Sequence, residues 1–344
     1  MKNGKLQIAV IGCGGMSRFY IPRYTRIPGA ELALVVDAKE EIARAAGDRY
    51  HCRWSTEFSD CLAPEIDMVD ISTPNFLHAD QAVAAIEAGK HVILQKPITP
   101  TVEEAERILT AARKTDKNVG MYMSKFNIAA VYDIKQILDE GLLGRVEGIH
   151  CRSAHPGGLH EKAGSWRSNL KLCGGGSFLQ LGIHTLDLVQ FLLGSRIREV
   201  MAFSHNTMCP NIGGDDATTV ACRFENGVLG TLESSYCASS EDTQIFGTDG
   251  YVRWEAGHGL NLCLREPFSG KTINYTQPGI REHFSVTDGL ELYGQANEYD
   301  QSVAFVRAIL EGRRAPVPVE VGVYDLKVIK AVYASAQSGA RVTV

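Results

Sequence analysis

The stretch Leu6–Ile11 is strand-like and runs without a spacer into Gly12-Cys13-Gly14-Gly15-Met16-Ser17. A strand that ends on glycines can open a dinucleotide-binding half, because the glycines permit a tight turn and let a pyrophosphate approach the N-terminus of the next helix. Ser17 stands at the third position of the pattern, where Gly or Ala is usual. A glycine-rich turn without a ligand would share this local sequence, so the acid that follows matters. Asp37 closes the next strand-like run 25 residues after Gly12, near the spacing at which an acid hydrogen-bonds the adenine-side ribose hydroxyls. Together these features predict a nucleotide-binding half that uses Gly12, Gly14, Gly15, Met16 and Asp37. A carboxylate there repels a 2′-phosphate, so NAD is expected over NADP; Lys39 and Arg44, close in sequence, temper that repulsion.

The alternation of patterns extends this start into a sheet. Strands are predicted over 6–11, 31–37, 68–73 and 91–95, with a short one over 120–123, and helices over 40–49, 79–88 and 101–114. The last helix opens on Thr101 and Glu104 in capping-box spacing. This is α/β patterning, a parallel sheet covered by helices. From Gly144 onward the strand-like runs 145–151, 218–224, 228–236, 243–247 and 251–255 read as antiparallel, joined in part by the tight turns Glu225-Asn226-Gly227 and Asp249-Gly250. Helices are predicted over 177–193, 297–311 and 323–338. The expectation is a first domain over 1–124 and a second, α+β domain over 125–344, whose C-terminal helix has the option of packing back on the first.

Composition supports two packed domains and narrows their partners. At ~150 residues per domain, 344 residues allow about two, and 44% hydrophobic with 22% charged residues suits packed cores. Lys+Arg number 35 against 40 Asp+Glu, a net charge of -5 without long single-sign runs, so no basic face is available and nucleic acid is not expected. No apolar run approaches the ~18 residues of a membrane span, and 6–11 is too short for a signal-peptide core. Nine cysteines without a CxxC pair fit free thiols in a reducing, cytoplasmic compartment, and no metal site is expected.

Further motifs carry a resemblance. Thr73-Pro74-Asn75 with His78, Gly89-Lys90-His91-Val92, and Gln95-Lys96-Pro97 are followed by Trp166-Arg167 and Gly174-Gly175-Gly176. Gly182-x-His184-x-x-Asp187 and the ending Ala331-x-Tyr333-x-Ser335-Ala336-x-Ser338-Gly339 complete the series. In this order, over nearly the whole chain, they resemble the Gfo/Idh/MocA oxidoreductases, which oxidise sugars and inositols with nicotinamide cofactors. The resemblance implies a Rossmann domain followed by a large, open, mostly antiparallel sheet domain with helices on one face. It adds Thr73, Pro74, Asn75, His78, Gln95 and Lys96 to the expected cofactor contacts, and matches Lys125-Phe126 to a basic-aromatic pair at the domain junction, where packing is the expected role. Two positions depart from the family pattern. Gln95 replaces the glutamate of Glu-Lys-Pro, and Gln180 replaces an aspartate four residues before the catalytic histidine.

The same residues can be read on their own chemistry. Lys96 is expected at the carboxyl end of a parallel strand, the edge where open sheets bind ligands, with Pro97 keeping it extended. A solvated lysine is the plain alternative. The 177–193 segment is apolar nearly all round, and Gln180, His184 and Asp187 fall at i, i+4 and i+7 as one polar stripe. A satisfied core histidine would give the same spacing. Hydride transfer from a carbinol needs a base for the hydroxyl proton, and an imidazole of ordinary pKa ~6.5 suits that task. The catalytic expectation is therefore His184 as base and Lys96 assisting, with Gln180 orienting substrate or imidazole. Asp187 either steadies the imidazole or bonds backbone. His155, Trp166 and Arg167, with His160 nearby, offer an aromatic and donors for a polyhydroxylated ring, although a tryptophan is more often core than platform and Arg167 has the alternative of pairing with an acid. The functional classes are an NAD-dependent dehydrogenase of sugars, sugar derivatives or inositols, an NAD-dependent glycosidase acting by transient oxidation, and a non-catalytic sensor. A homodimer or homotetramer is expected, because one face of the antiparallel sheet needs a cover.

Overall fold

The computed structural model describes residues 4–123, 129–264, 272–274 and 301–344. They divide into two compact units: 1–123 with 298–324, and 124–297 with 325–344. The single boundary expected near 124 does not include this return of 298–324 to the first unit. Lys125 and Phe126 lie outside the described residues, as does the beginning of the 297–311 segment.

In the first unit, β1 (Leu6–Ile11) leads through the glycine turn into α1 (Ser17–Tyr24), then β2 (Ala30–Val36) and α2 (Glu40–Tyr50). After β3 (Arg53–Ser55) come β4 (Met68–Ile71), α3 (His78–Glu87), β5 (His91–Leu94), α4 (Val102–Ala112) and β6 (Val119–Met121). The strands form a six-stranded sheet in the order β3-β2-β1-β4-β5-β6, with every pair parallel. The order reverses at β1, the switch point beside which open α/β sheets bind ligands at their carboxyl ends. All six residues of β1 are buried, as a strand covered on both faces requires. The core gathers Ile8, Val10, Tyr20, Tyr24, Met68, Ile93 and Tyr122, and helix Gln301–Leu310 adds Phe305 and Val306. At α4, Thr101 and Glu104 make both reciprocal bonds of the capping box.

In the second unit, α5 (Ala129–Asp139) precedes β7 (Val146–Ala154), and α6 (Leu170–Cys173) and α7 (Ile183–Leu193) follow. Then come β8 (Ile197–His205), β9 (Ala217–Phe224), β10 (Leu229–Ser235), β11 (Ser240–Gly247), β12 (Gly250–Glu255), β13 (Gly259–Leu264), β14 (Thr272–Asn274) and, at the end of the chain, β15 (Val342–Thr343). The nine-stranded sheet runs β14-β13-β12-β11-β7-β10-β9-β8-β15. One pair departs from the antiparallel expectation. β10 lies parallel to β7, because the long connection carrying α7 returns the chain in the same direction. Helix α7 packs on both of these strands. Alternate burial along β9, with Thr218, Val220, Cys222 and Phe224 inside, leaves the other sheet face open.

The structure also corrects the 177–193 helix. Residues Phe178–Gly182 form a π-helical turn, and the regular helix begins only at Ile183. Gln180 therefore belongs to a wider turn than His184 and Asp187, and the three are not a simple α-helical stripe.

Candidate active site

The cofactor half is built on the first unit. Gly12 has φ +90°, and a Cβ there would meet the Ser72 carbonyl oxygen at 2.7 Å and the Thr73 nitrogen at 2.9 Å. Only glycine lets β1 end this close to β4. At Gly14 and Gly15 nothing lies within 4 Å of where a Cβ would stand, so the turn leaves open space in front of the N-terminus of α1. The Ser17 hydroxyl donates to the Gly14 carbonyl at 2.8 Å, which explains how a serine serves at the third position of the motif. Asp37 Oδ2 accepts the Cys13 N–H at 2.9 Å and Oδ1 accepts the Lys39 N–H at 3.0 Å. Its carboxylate thus fixes the turn from the end of β2. The open cradle, the exposed helix start and the acid together fit a dinucleotide.

The neighbouring candidates differ in what they can offer. Thr73 is partly exposed and donates its hydroxyl to Gln81 at 2.6 Å. His78 is buried with Nδ1 3.0 Å from the Ile98 oxygen and Nε2 2.8 Å from the Thr73 oxygen, and burial lowers its pKa. Its ring is committed to backbone, so its contribution is to hold the Thr73-Pro74-Asn75 turn. Asn75 and Gln95 are buried, and Gln95 adjoins the Tyr20 hydroxyl. Lys96 is partly exposed just beyond β5, and its bond to Pro97 is cis.

Sequence reasoning missed a buried acid in this unit. Asp70, inside the apolar run of β4, accepts the hydroxyls of Tyr24 at 2.7 Å and Tyr122 at 2.9 Å on Oδ2, and that of Ser72 at 2.8 Å on Oδ1. Burial pushes its carboxyl up to about 6. The available signal was a lone carboxylate between Val69 and Ile71.

The candidate residues of the second unit are arranged around another buried acid, Asp215. Its Oδ1 accepts from Gly176 N–H at 3.1 Å and from the Tyr333 hydroxyl at 2.8 Å. Its Oδ2 accepts from the Ser177 hydroxyl at 2.7 Å, Phe178 N–H at 2.8 Å and the Thr218 hydroxyl at 2.7 Å. Tyr333 in turn accepts the Leu179 N–H at 3.0 Å. A Cβ on Gly176 would stand 1.9 Å from the Asp215 carbonyl oxygen, so this position requires glycine for the close approach. The clamp secures the start of the π turn that carries Gln180. Gln180 and Asp187 are buried, whereas His184 is partly exposed.

The earlier sugar candidates cluster less tightly. His155 caps the Pro156–His160 turn by accepting the Gly157 N–H at Nδ1, 3.0 Å away, and its exposed ring lies 5.3 Å from that of Tyr236. Trp166 is partly exposed, with the Arg167 guanidinium 4.4 Å above its ring, so it is not a core residue. His160 is exposed.

Residues 6–123 match the oxidoreductase family with an NAD-binding Rossmann fold, and residues 131–253 match the GFO/IDH/MocA C-terminal domain. The chain belongs to the Gfo/Idh/MocA oxidoreductases. A 1,5-anhydro-D-fructose reductase of Ensifer adhaerens is 27% identical over 335 residues, 96% of each chain. A dTDP-3,4-didehydro-2,6-dideoxy-alpha-D-glucose 3-reductase of Streptomyces violaceoruber is 30% identical, covering 76% of this chain and 78% of that one. A levoglucosan dehydrogenase structure in complex with NADH and levoglucosan has a TM-score of 0.84 at 22% identity over 99% of both chains.

The first unit of this Gfo/Idh/MocA protein is thus an NAD-binding Rossmann domain, and the glycine cradle and Asp37 lie within the matched range. Both departures from the Gfo/Idh/MocA pattern, Gln95 and Gln180, are buried amides. A carboxylate at either place would carry the desolvation cost that raises the carboxyl of Asp70, while an amide stays neutral.

Proposed function

We propose that this chain is an NAD-dependent oxidoreductase that moves a hydride between a secondary hydroxyl of a sugar, sugar derivative or inositol and the nicotinamide. The observation that carries this reading is the glycine cradle closed by Asp37, in a chain that keeps both Lys96 and His184. Bound NAD supplies the hydride acceptor. His184 takes the hydroxyl proton, and Lys96 assists as a hydrogen-bond donor that stabilises developing negative charge. Gln180 orients the substrate or the imidazole without adding charge. Asp37 favours NAD over NADP, since a second negative group near its carboxylate is unfavourable. Thr73, Asn75 and the glycine turn hold the cofactor, and His155, Trp166 and Arg167 hold the sugar.

Sugar substrates are supported by the relatives' names, each of which specifies a carbohydrate. Residues 1–124 then serve as the cofactor domain and 125–344 as the substrate and association domain, with 298–324 folding alongside the former. No helix among the described residues is long and apolar enough to cross a membrane, and the cysteines are free, in keeping with residence in the cytoplasm. A second reading rests on Gln180. Without the family carboxylate, a transient oxidation that acidifies a neighbouring C–H and ends in loss of a glycosidic group needs no net cofactor change. Incubation with NAD and a panel of sugars, inositols and aryl glycosides separates the readings. Net nicotinamide reduction is expected. Aglycone release without it favours the glycosidase, and NAD binding with neither would overturn both in favour of a sensor.

A further inference from the structure

A group of side chains in the second unit lies outside the site described above. A Cβ on Gly158 would meet Tyr236 Cβ at 2.5 Å and Cys209 Sγ at 2.9 Å, so the Pro156–His160 turn presses directly on these two residues. Cys209 Sγ lies 3.5 Å from Cys237 Sγ, and both are free thiols. Cys209 is fully buried and Cys237 half-buried. Their backbones are fixed independently. Asp216 Oδ2 accepts the N–H groups of Thr207, Met208 and Cys209 at 2.9, 2.6 and 3.0 Å, and the Ser235 hydroxyl oxygen accepts that of Cys237 at 3.1 Å.

We propose that Cys209 and Cys237 are a site of reversible oxidation by peroxides, closing to a disulfide that ties the 207–214 loop to the segment after β10. A disulfide needs its sulfurs at ~2.05 Å, so they must approach by about 1.5 Å. Cys237, the less buried of the pair, is assigned as the sulfur that meets the peroxide. As thiolate it attacks a peroxide oxygen: the S–O bond forms, the O–O bond breaks, and the departing oxygen leaves as water after taking a proton. Cys209 then attacks the Cys237 sulfur, forming S–S and breaking S–O, and its proton leaves with the hydroxide as a second water. Two thiols and one hydrogen peroxide become one disulfide and two waters. Burial, the hydrogen bond to Cys237 and nearby Asp216 push the Cys209 thiol up to about 12.

A metal is the competing occupant, since ligand atoms of Cys209, Asp216 and Cys237 fall within 4.8 Å of one another. Asp216 is already committed, however. Oδ2 holds three backbone N–H groups and Oδ1 is 2.9 Å from His205 Nδ1, which leaves two sulfurs where a structural zinc takes four ligands. The loop that would be tied also shapes the proposed sugar side. Gly213 donates its N–H to the Arg167 oxygen at 2.8 Å, Asn211 donates to the Glu161 oxygen at 2.9 Å, and Tyr236 adjoins His155. That consequence rests on the functional reading, whereas formation of the disulfide does not.

The full chain, reduced, freed of reductant and kept in EDTA, is treated with hydrogen peroxide, alkylated under denaturing conditions and mapped by peptide mass. A Cys209–Cys237 cross-link is expected, with two thiols lost relative to the untreated protein and both restored by dithiothreitol. Cys237→Ser should abolish the cross-link while Cys209 remains alkylatable. Sulfinic acid at Cys237 with Cys209 still a thiol, or a cross-link between other cysteines, would overturn the proposal. So would one zinc ion per chain, in protein purified without chelator, that is released when Cys209 and Cys237 are alkylated. If Cys237→Ser does not fold, the map of the unmodified sequence decides alone.

Discussion

Residues of one chemical type play different parts in this chain, and their surroundings decide which. His78 and His155 both match the expected site by sequence, yet His78 has both ring nitrogens on backbone carbonyls and His155 accepts a backbone N–H as a cap. His184 is partly exposed at the start of a helix and remains the candidate base. Lys96→Met should therefore lower kcat by about 10² or more while NAD affinity stays within several-fold, because general acid–base contributions run at that size. Near-normal turnover would return Lys96 to a solvated lysine. Gln180→Asp asks a sharper question. A carboxylate four residues before His184 favours the imidazolium, and the base must be deprotonated to act, so the acidic limb of kcat/KM should move to higher pH. An unmoved limb in a folded, NAD-binding variant would mean that His184 is not the titrating base, or that the π turn aims residue 180 elsewhere.

Elements whose cause is local were legible in the sequence, and those set by distant contacts were not. The end of β1, the glycine turn and the Thr101 capping box each arise from neighbouring residues, and each was anticipated. The π turn at Phe178–Gly182 depends on Asp215 and Tyr333, far along the chain, which grip its first N–H groups; a regular helix was the natural expectation from composition alone. The parallel pairing of β7 with β10 is likewise decided by the route of the connection rather than by either strand's own residues. Tyr333→Phe tests the clamp. It removes one donor to Asp215 and the acceptor for Leu179 N–H, leaving that amide's bond unmade at a cost of about 1–3 kcal/mol. Because the clamp sets the turn that bears Gln180, KM for the sugar should rise several-fold with NAD affinity unchanged. Equal loss of both affinities would indicate general unfolding rather than a local role.

At the scale of the whole molecule, two features left from the fold make opposite demands on solvent. Asp70 is sealed inside the first unit with a carboxyl near 6, against 3.8 in water. The folded chain therefore keeps a proton that the unfolded chain releases between about pH 4 and 6. This group's contribution to stability is fully present below the lower value and is lost as pH rises through the upper one, a swing of about 3 kcal/mol. The excess stability of the natural sequence over Asp70→Asn, measured by urea unfolding, should fall from pH 4 to pH 7. A constant difference would show that Asp70 titrates normally.

The second feature is the open face of the nine-stranded sheet. Leu229 on β10, Gly148 on β7, Phe246 on β11 and Tyr251 on β12 are register partners in one row, and the apolar members Leu229, Phe246 and Tyr251 are exposed. Met201 and Phe203 extend the same apolar character onto β8, with Phe203 76% exposed. Apolar residues repeated along one face of a sheet, between polar ones such as Thr231 and Glu233, are costly to leave in water and well suited to a second copy of the same face. Self-association through this surface predicts a dimer or tetramer by sedimentation at micromolar concentration. Leu229→Lys with Phe246→Lys should yield a monomer, since charges facing their own copies across a symmetry axis repel one another. Exposed side chains contribute little to the fold itself, so the variant's circular dichroism should be unchanged. A monomeric natural sequence, or a variant that associates as before, would show that this face is not what joins the copies.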